Sequence, residues 1–382
     1  MDRSPLQQER ERRGWTQEHV ADQLRRLGLE RGCSNLGIDG NAVSRHERRI
    51  VAMPRDPYPT LYAELYGTTV EALWPDMIDG MERRGFLRAL AAAPVASMLP
   101  PGLDMTAGVA PAAQAGEVVG YLRRVFPEFS TADWLLGCQA VLPVMPRHLA
   151  VIEQLLASAT GRTRNELLRV GARYGEFRSW LHQDAGDMGT AGFWADRAIE
   201  WATEAGDHAM VAYTLARKAH QAAEGGDAAR TVGLAQAAGR SAVTPRVRTA
   251  AMLQEAHGYA LAGDERASLG MLDQAAEVAG RADGEPGPGR YLTPQYVTIQ
   301  RATCWLVLGR PERTVPALER ELACLPTVHR RDRGVYLARL ASAYAASGER
   351  EQAGATTRRA LEVAQATGSR RIVRELRTAR PR

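Results

Sequence analysis

The spacing of apolar residues along the chain predicts helices throughout. Apolar positions recur at intervals of three and four residues, as in the second predicted helix, where Val20, Leu24 and Leu27 share one face. The sequence contains no runs of alternating valine, isoleucine and threonine bounded by turn residues, which would indicate strands. We therefore expect an all-α fold without a sheet.

Residues 1–78 are predicted to form a first domain of five short helices. Ser4, followed by Pro5 and Gln7, makes a capping-box pattern that begins the first helix. Thr16 and Asp39 are placed to cap the second and third helices. The expected ranges of the four later helices are Gln17 to about Arg26, Asn41–Arg49, Thr60–Tyr66 and Thr69–Trp74.

Residues 79–116 are expected to be a linker with one short helix. Positions 94–116 are rich in proline, alanine and glycine and carry almost no charge, a composition typical of linkers. Residues 83–99 place two arginines and a Phe-Leu pair before a small apolar stretch, a pattern similar to a twin-arginine export signal. Because about 80 residues precede this segment, we expect it not to direct export and the chain to be cytoplasmic.

Residues 117–380 repeat a pattern of small residues around glycine. Seven residues before each glycine and five residues after it stands a small residue, and alanine follows twelve residues after in four of five cases. Small residues at these offsets let paired helices approach closely, while glycine adopts the left-handed turn between them. The pattern predicts an α-solenoid of about five helix pairs. The glycines lie 37 to 46 residues apart, at Gly186, Gly226, Gly263, Gly309 and Gly348.

This pattern resembles the tetratricopeptide repeat, in which a small residue is followed three positions later by tyrosine and later by alanine. The resemblance covers roughly residues 165–368, and tyrosine stands at that position in two repeats, as Tyr259 and Tyr344. The period exceeds the ~34 residues usual for the family, and the leading tryptophan is missing. An unrelated helical bundle is the alternative.

Charge is unevenly distributed along the chain. The formal net charge of +5 over 382 residues is too small to indicate nucleic-acid binding by itself. Residues 1–80 carry a net charge of −2, whereas residues 320–382 carry +8. The local arrangement of arginines must therefore decide whether either region binds an acidic partner.

The motifs of the common enzyme classes are missing from the sequence. There is no phosphate-binding glycine loop, nucleophile elbow, H-E-x-x-H motif or dinucleotide fingerprint. The four cysteines form no C-x-x-C pair, so neither a zinc site nor a disulfide framework is indicated. We expect a chain that is not an enzyme and has no cofactor and no metal site.

The first domain carries the most specific motif. Residues 15–24 (WTQEHVADQL), followed after a turn by residues 43–48 (VSRHER), resemble the helix-turn-helix of the Cro/lambda-repressor (XRE) class. The match covers residues 5–75 and includes all five expected helices. It departs from the family in two places. The first is the turn before the third helix, which has about a dozen extra residues. His46 also occupies a position that is normally apolar.

The resemblance implies DNA binding through the third helix. Asn41 and Arg45 lie four residues apart on one helical face, where asparagine can pair with adenine and arginine with guanine. Gln17, at the start of the second helix, is expected to meet a phosphate through its side chain or its backbone N–H. The residues expected to contact DNA are Gln17, Asn41, Ala42, Ser44, Arg45, Arg48 and Arg49.

The inner surface of the predicted solenoid is the candidate site for a ligand. A stacked repeat array has a concave face suited to an extended segment, and aromatic residues mixed with polar ones suit peptide capture. The same residues would also serve as ordinary lining of a solenoid. The expected inward positions are Arg173, Glu176, Trp180, Tyr213, His220, His257, Tyr296 and Thr303.

The two resemblances together imply a homodimeric transcription regulator. In this hypothesis the first domain binds double-stranded DNA at a palindromic operator, and the repeat domain dimerises and senses a peptide or protein partner. The alternative is a repeat-based adaptor whose first domain binds protein rather than DNA. Its support is the long turn, His46 and the net charge of −2. No membrane partner is expected, because no apolar run reaches the ~18 residues of a membrane span.

Overall fold

The computed structural model confirms the all-α class. The regular elements of the described residues are helices, and no strand is found among them. Two compact units are formed, one from residues 1–92 with 319–329 and the other from residues 93–318 with 330–382. The structure describes residues 3–30, 36–48, 54, 57–68, 70–74, 112–281, 287–325 and 329–378.

The first unit contains five helices around one apolar core. Tyr62 and Leu24 are fully buried there, and Trp74 is 2% exposed. The expected caps are present, since the Ser4 hydroxyl accepts from the Gln7 N–H at 3.3 Å and Asp39 accepts from the Ala42 N–H at 2.7 Å. The helices are α1 (Pro5–Arg12), α2 (Gln17–Glu30), α3 (Gly40–Glu47), α4 (Tyr58–Tyr66) and α5 (Val70–Leu73).

Helix α2 is longer than the sequence pattern suggested. The sequence predicts an end near Arg26, but the helix continues through Glu30. Leu27 packs against the core and Gly28 is buried, so the packing of this face favours helix over the preference of glycine for turns. Nine positions of the sequence separate Glu30 from Gly40, where α3 begins.

The helices from Ala112 to Thr378 follow one another and belong to the second unit, except that the helix Pro311–Cys324 continues from residue 319 on into a segment of the first unit. The first of them, α6, starts at Ala112, inside the range expected to be linker, because the alanine-rich sequence there favours helix. The expected short helix and the twin-arginine segment lie outside the described residues. The helices are α6 (Ala112–Leu136), α7 (Cys138–Val141), α8 (Met145–Leu156), α9 (Gly161–Asp184), α10 (Met188–Glu204), α11 (His208–Glu224), α12 (Ala228–Ser241), α13 (Pro245–Leu261), α14 (Glu265–Ala279), α15 (Pro294–Val307), α16 (Pro311–Cys324), α17 (Arg330–Ala346), α18 (Arg350–Thr367) and α19 (Arg370–Thr378).

Five helix pairs follow one another from α9 to α18, as the small-residue pattern predicted. All five predicted turn glycines have positive φ, from 71° at Gly309 to 83° at Gly186, a conformation that favours glycine. The small residues on either side contact each other: the Ser179 hydroxyl donates to the Ala191 carbonyl at 2.7 Å. The first helices of successive pairs also pack together, so α9, α11, α13, α15 and α17 form one layer.

Aspartate begins the second helix at several of these turns. Asp187, Asp207, Asp227 and Asp264 each directly follow a glycine of positive φ, and each side chain accepts from the N–H three residues later. One of these turns, at Gly206, connects α10 to α11 and was not among the five glycines singled out in the sequence. The glycine ends one helix and the aspartate caps the next, which makes each connection short.

The two ends of the helical series meet within this unit. Helix α6 packs against α17 and α18 as well as against α9. Arg331 of α17 forms a buried ion pair with Asp133 of α6, and both side chains are at most 4% exposed. No helix among the described residues is long and apolar enough to cross a membrane.

Ala256→Leu tests the close packing of the paired helices. Ala256 is fully buried at the small position before Gly263, so a leucine side chain would overpack the pair. We expect the free energy of unfolding of the second unit to fall by about 1–3 kcal/mol. Urea unfolding followed by circular dichroism measures this loss. The substitution Arg266→Leu, at an exposed position of α14, is the control and should leave the unfolding midpoint nearly unchanged. Equal midpoints for Ala256→Leu and the unchanged chain would contradict the packing role.

Candidate functional site

Helix α3 has one buried face and one exposed face. Val43 is fully buried and Glu47 is 5% exposed, whereas Asn41, Arg45 and Arg48 are exposed. The N-terminus of the helix is held twice, because Asp39 caps it and the Glu18 carboxylate of α2 accepts from the Gly40 N–H at 2.9 Å. The exposed side chains therefore stand on a helix whose start is fixed by α2.

An ion pair between the half-buried Arg10 and the buried Glu47 connects α3 to α1. Arg10 donates to both carboxylate oxygens of Glu47, with Nε–Oε1 at 2.6 Å and Nη2–Oε2 at 3.1 Å. Gln17 Nε2 donates to the same carboxylate at 2.8 Å. Arg10 also donates to the Trp15 carbonyl at 2.9 Å, just before α2 begins. Because one carboxylate is shared by donors from α1 and α2, the orientation of α3 depends on Glu47.

His46 fills a position in the core of the first unit. Its ring lies 5.7 Å from the Tyr58 ring and 5.9 Å from the Tyr62 ring, and its Nδ1 lies 3.2 Å from the Tyr62 hydroxyl. Burial, with a smaller effect from Arg45, lowers the pKa of His46. A neutral histidine with an aromatic neighbour on either side thus replaces the apolar residue expected there.

The predicted DNA-contacting residues differ in how accessible their side chains are. Asn41, Arg45 and Arg48 are exposed, and Ser44 is half-buried between them. Ala42 is 8% exposed and belongs to the core, so its burial favours a packing role over contact with a base. The side-chain amide of Gln17 is engaged by Glu47, which leaves its backbone N–H at the start of α2 as the group for a phosphate. Arg49 lies outside the described residues.

In the second unit, Trp180 of α9 is surrounded by arginines from three other helices. The guanidinium carbons of Arg217, Arg331 and Arg371 lie 4.6, 4.7 and 5.4 Å from the centroid of its ring. The indole N–H donates to Asp133 at 3.1 Å. Arginine stacking on an indole is favourable, and it is stronger where water is excluded. We call these four residues with His220, which stacks on Trp180 at 6.5 Å, the tryptophan cluster.

Other predicted groove residues form a second group beside the cluster. Arg217 pairs with the buried Glu176 at 3.0 Å, and Glu176 also lies 3.6 Å from Arg173. The Tyr213 hydroxyl donates to the Tyr291 hydroxyl at 3.3 Å. The ring of Tyr291 in turn packs edge-on against Tyr296, with 5.0 Å between the centroids. Burial raises the pKa of Tyr296 to about 12.

Thr303 and His257 lie near a third ion pair. Arg339 of α17 donates to the Thr303 hydroxyl at 2.8 Å and pairs with Glu375 of α19 at 2.8 Å. Burial alone would raise the pKa of Glu375, but the charge and hydrogen bonds of Arg339 lower it to about 2. Burial lowers the pKa of His257 to about 4, with Arg339 and Arg371 acting in the same direction and Glu375 opposing them. His257 is therefore neutral at pH 7.

The chain's own helix α19 lies on the predicted groove. The guanidinium of Arg371 lies over the Trp180 ring, and its Nη2 lies 3.4 Å from His220 Nε2. Glu375 accepts a hydrogen bond from Arg339, the residue that also donates to Thr303. The sequence pattern did not assign α19 or the arginines of α11 and α17 to this site. With so many arginines in the chain, composition does not distinguish buried from exposed ones. One usable signal is α17 itself, because from Gly334 to Ala346 apolar and small residues stand on all sides of the helix, which indicates a helix buried all round.

Comparison with known proteins adds no assignment. No protein-family model matches the chain, and no curated protein matches it. Among the described residues, no group of three or more histidine, cysteine, aspartate or glutamate side chains is arranged to hold a metal ion.

The histidines of the second unit are expected to make its stability depend on pH. The pKa of His257 is about 4 in the folded chain and ordinarily 6.5, and the pKa of His220 is lowered well below its ordinary value by burial and nearby arginines. The unfolded chain takes up these protons first, so stability is complete above about pH 6.5 and falls as the pH drops towards 4. Urea midpoints at pH 7 and pH 5 measure the loss. His257→Gln should reduce it, whereas His208→Gln, at an exposed position of α11, should not. An unchanged pH dependence in His257→Gln would contradict this account.

Proposed function

We propose that the chain is a DNA-binding transcription regulator whose second unit dimerises and senses a peptide or protein partner. The observation that carries the DNA-binding part is the division of α3 into a buried face and an exposed face with Asn41, Arg45 and Arg48. A helix that enters the major groove needs this division, since one face packs on the domain and the other reads the bases.

The exposed residues of α3 have the chemistry for base recognition. Arginine can donate two hydrogen bonds to guanine, and asparagine can make two with adenine. Asn41 in the first turn and Arg45 one turn later are both exposed, which is the arrangement required for contact with adjacent base pairs. In this proposal Arg48 and the Gln17 backbone N–H bind phosphates and fix the position of α3 on the duplex.

The pair between Arg10 and the buried Glu47 supports a positioning role. A recognition helix must keep its angle to the duplex, and α3 is tied to α1 through Arg10 and to α2 through Gln17 and Glu18. Buried charge pairs are costly to break, so these contacts resist rotation of α3. The proposal thus assigns Glu47 to orientation and Arg45 to recognition.

The second candidate function is a protein-binding adaptor. The net charge of −2 over residues 1–80 favours it, because phosphate neutralisation normally supplies much of the affinity for DNA. In this alternative the exposed face of α3 would bind an acidic protein surface. The two proposals differ in whether DNA binding depends on Arg45.

Arg45→Ala is expected to weaken binding to the cognate site by about 1–3 kcal/mol and to relax the preference for one base pair. The reason is the loss of a bidentate contact from the exposed face of α3. A gel shift with DNA from upstream of the chain's own coding region identifies the site, and fluorescence anisotropy then gives the affinities. Arg12→Ala, an arginine of α1 that is 68% exposed, is the matched control and should bind normally.

Binding that is equally strong in Arg45→Ala and Arg12→Ala would remove α3 from the recognition surface. No binding to any upstream DNA at low salt would favour the adaptor. Glu47→Gln provides a third measurement, since it should lower both the unfolding midpoint of the first unit and the DNA affinity if Glu47 orients α3.

The dimer part of the proposal predicts a strong preference for palindromic DNA. In a dimer, binding of one DNA-binding domain to its half-site raises the local concentration of the other DNA-binding domain at the second half-site. A palindrome should therefore bind at least about a hundredfold more tightly than one half-site. Titration of the full chain on both sites measures the ratio, and light scattering gives the mass of the free protein. A monomer with equal affinity for both sites would exclude dimerisation.

A further inference from the structure

Helix α19 packs on α17 and α18, and among its described side chains only one is both apolar and fully buried. Ile372 is fully buried, whereas the residues from Val373 to Leu376 are half-buried and Arg377 is exposed. A Cβ atom added at Gly334 of α17 would lie 2.4 Å from Ile372, so the close approach of Ile372 requires a glycine there. Ile372 on Gly334 is thus the most deeply buried apolar contact of α19.

Charged and polar contacts make up the rest of the attachment. Arg371 Nε lies 2.9 Å from Glu224 of α11, and Arg374 pairs with the same carboxylate. Glu375 pairs with Arg339, and Ser369, just before the helix, donates to Asp184 of α9 at 2.8 Å. Helix α19 therefore connects α9, α11 and α17 through side chains that carry charge.

Such an attachment is specific but reversible. Interfaces that open and close within a chain are generally more polar than the permanent core, and segments with few buried apolar contacts open at the lowest free energy. Arg371 and Arg374 both pair with Glu224, so the loss of that carboxylate would break both ion pairs at once.

From these contacts we propose that α19 is a releasable occupant of the inner face of the repeats, and that the partner sensed by this unit binds there in its place. The site consists of Glu224, Asp184 and the members of the tryptophan cluster that lie outside α19, which are Trp180, Arg217, His220 and Arg331. The inference rests on the proposed sensing role of the second unit and is independent of DNA binding.

The contacts of α19 define the kind of partner that fits. It is a short helical segment with two arginines three residues apart and an apolar residue directly after the first, the pattern of Arg371, Ile372 and Arg374. The arginines would meet Glu224 and Trp180, and the apolar residue would meet Gly334. An acidic segment would be repelled by Glu224 and Asp184.

The test uses the full chain and a labelled peptide with the sequence of residues 369–378. In the release variant, Arg371→Glu with Arg374→Glu, two new carboxylates oppose Glu224 and detach the chain's own helix. Arg358→Glu with Arg359→Glu makes the same charge change at exposed positions of α18 and is the control. Fluorescence anisotropy measures peptide binding without DNA, and hydrogen exchange reports whether α19 is protected.

The release variant should bind the peptide at least about tenfold more tightly than the unchanged chain and the control. The reason is that an occupied site lowers the apparent affinity in proportion to the fraction of open sites. Adding Glu224→Arg to the release variant should abolish peptide binding, because it removes the acceptor of both arginines. Increasing salt should loosen α19 in the unchanged chain, since exposed parts of the ion pairs are screened.

Three results would overturn the proposal. Equal peptide affinity in the release variant and the control would show that α19 does not occupy the binding site. Continued protection of α19 in the release variant would show that its ion pairs do not hold it. Loss of the helical circular dichroism signal in the release variant would show that the fold of the second unit requires bound α19. None of these measurements involves DNA, so a failure here leaves the DNA-binding proposal to its own test.

Discussion

The second unit depends on the pairing of arginines that are removed from water around Trp180. A buried guanidinium group costs several kcal/mol unless a carboxylate and further hydrogen bonds compensate for lost hydration. Here each compensation comes from a different helix: Asp133 of α6 for Arg331, Glu176 of α9 for Arg217 and Glu224 of α11 for Arg371. Arg331 also pairs with Asp332 of its own helix, but the three carboxylates named above lie on other helices than their arginines, so the buried charges join α6, α9, α11, α17 and α19.

The first unit uses the same principle on a smaller scale. Its core is apolar, yet the orientation of α3 is set by Glu47, which receives hydrogen bonds from Arg10 and Gln17. Apolar packing resists separation of helices but permits small rotations, whereas a bidentate ion pair has a fixed geometry. On the buried face of α3, Val43 packs in the core and Glu47 fixes the orientation of the helix. The exposed face takes no part in this packing.

Local signals in the sequence predicted most of the helices, because caps and turn glycines act within a few residues. Ser4, Asp39 and the five repeat glycines all have the structural roles expected of them. The turn at Gly206 was missed, although the Gly-Asp pair that marks three of the others is present there. The contents of the inner face could not be predicted in this way. The contact of Asp133 with Arg331 joins residues almost two hundred positions apart, and no periodicity along the chain encodes that pairing.

The choice of ion pairs rather than apolar contacts on the inner face has a consequence for binding. An apolar groove would hold α19 through area alone and would accept any hydrophobic segment of similar size. Paired charges add little net stability compared with apolar packing. A bound segment that left Glu224 or Arg339 unpaired would nevertheless bind weakly, because an unpaired buried charge costs free energy. The same contacts that hold α19 thus make the site selective. A surface built in this way suits a domain that must exchange one bound segment for another, since discrimination is kept while the bound helix can still be displaced.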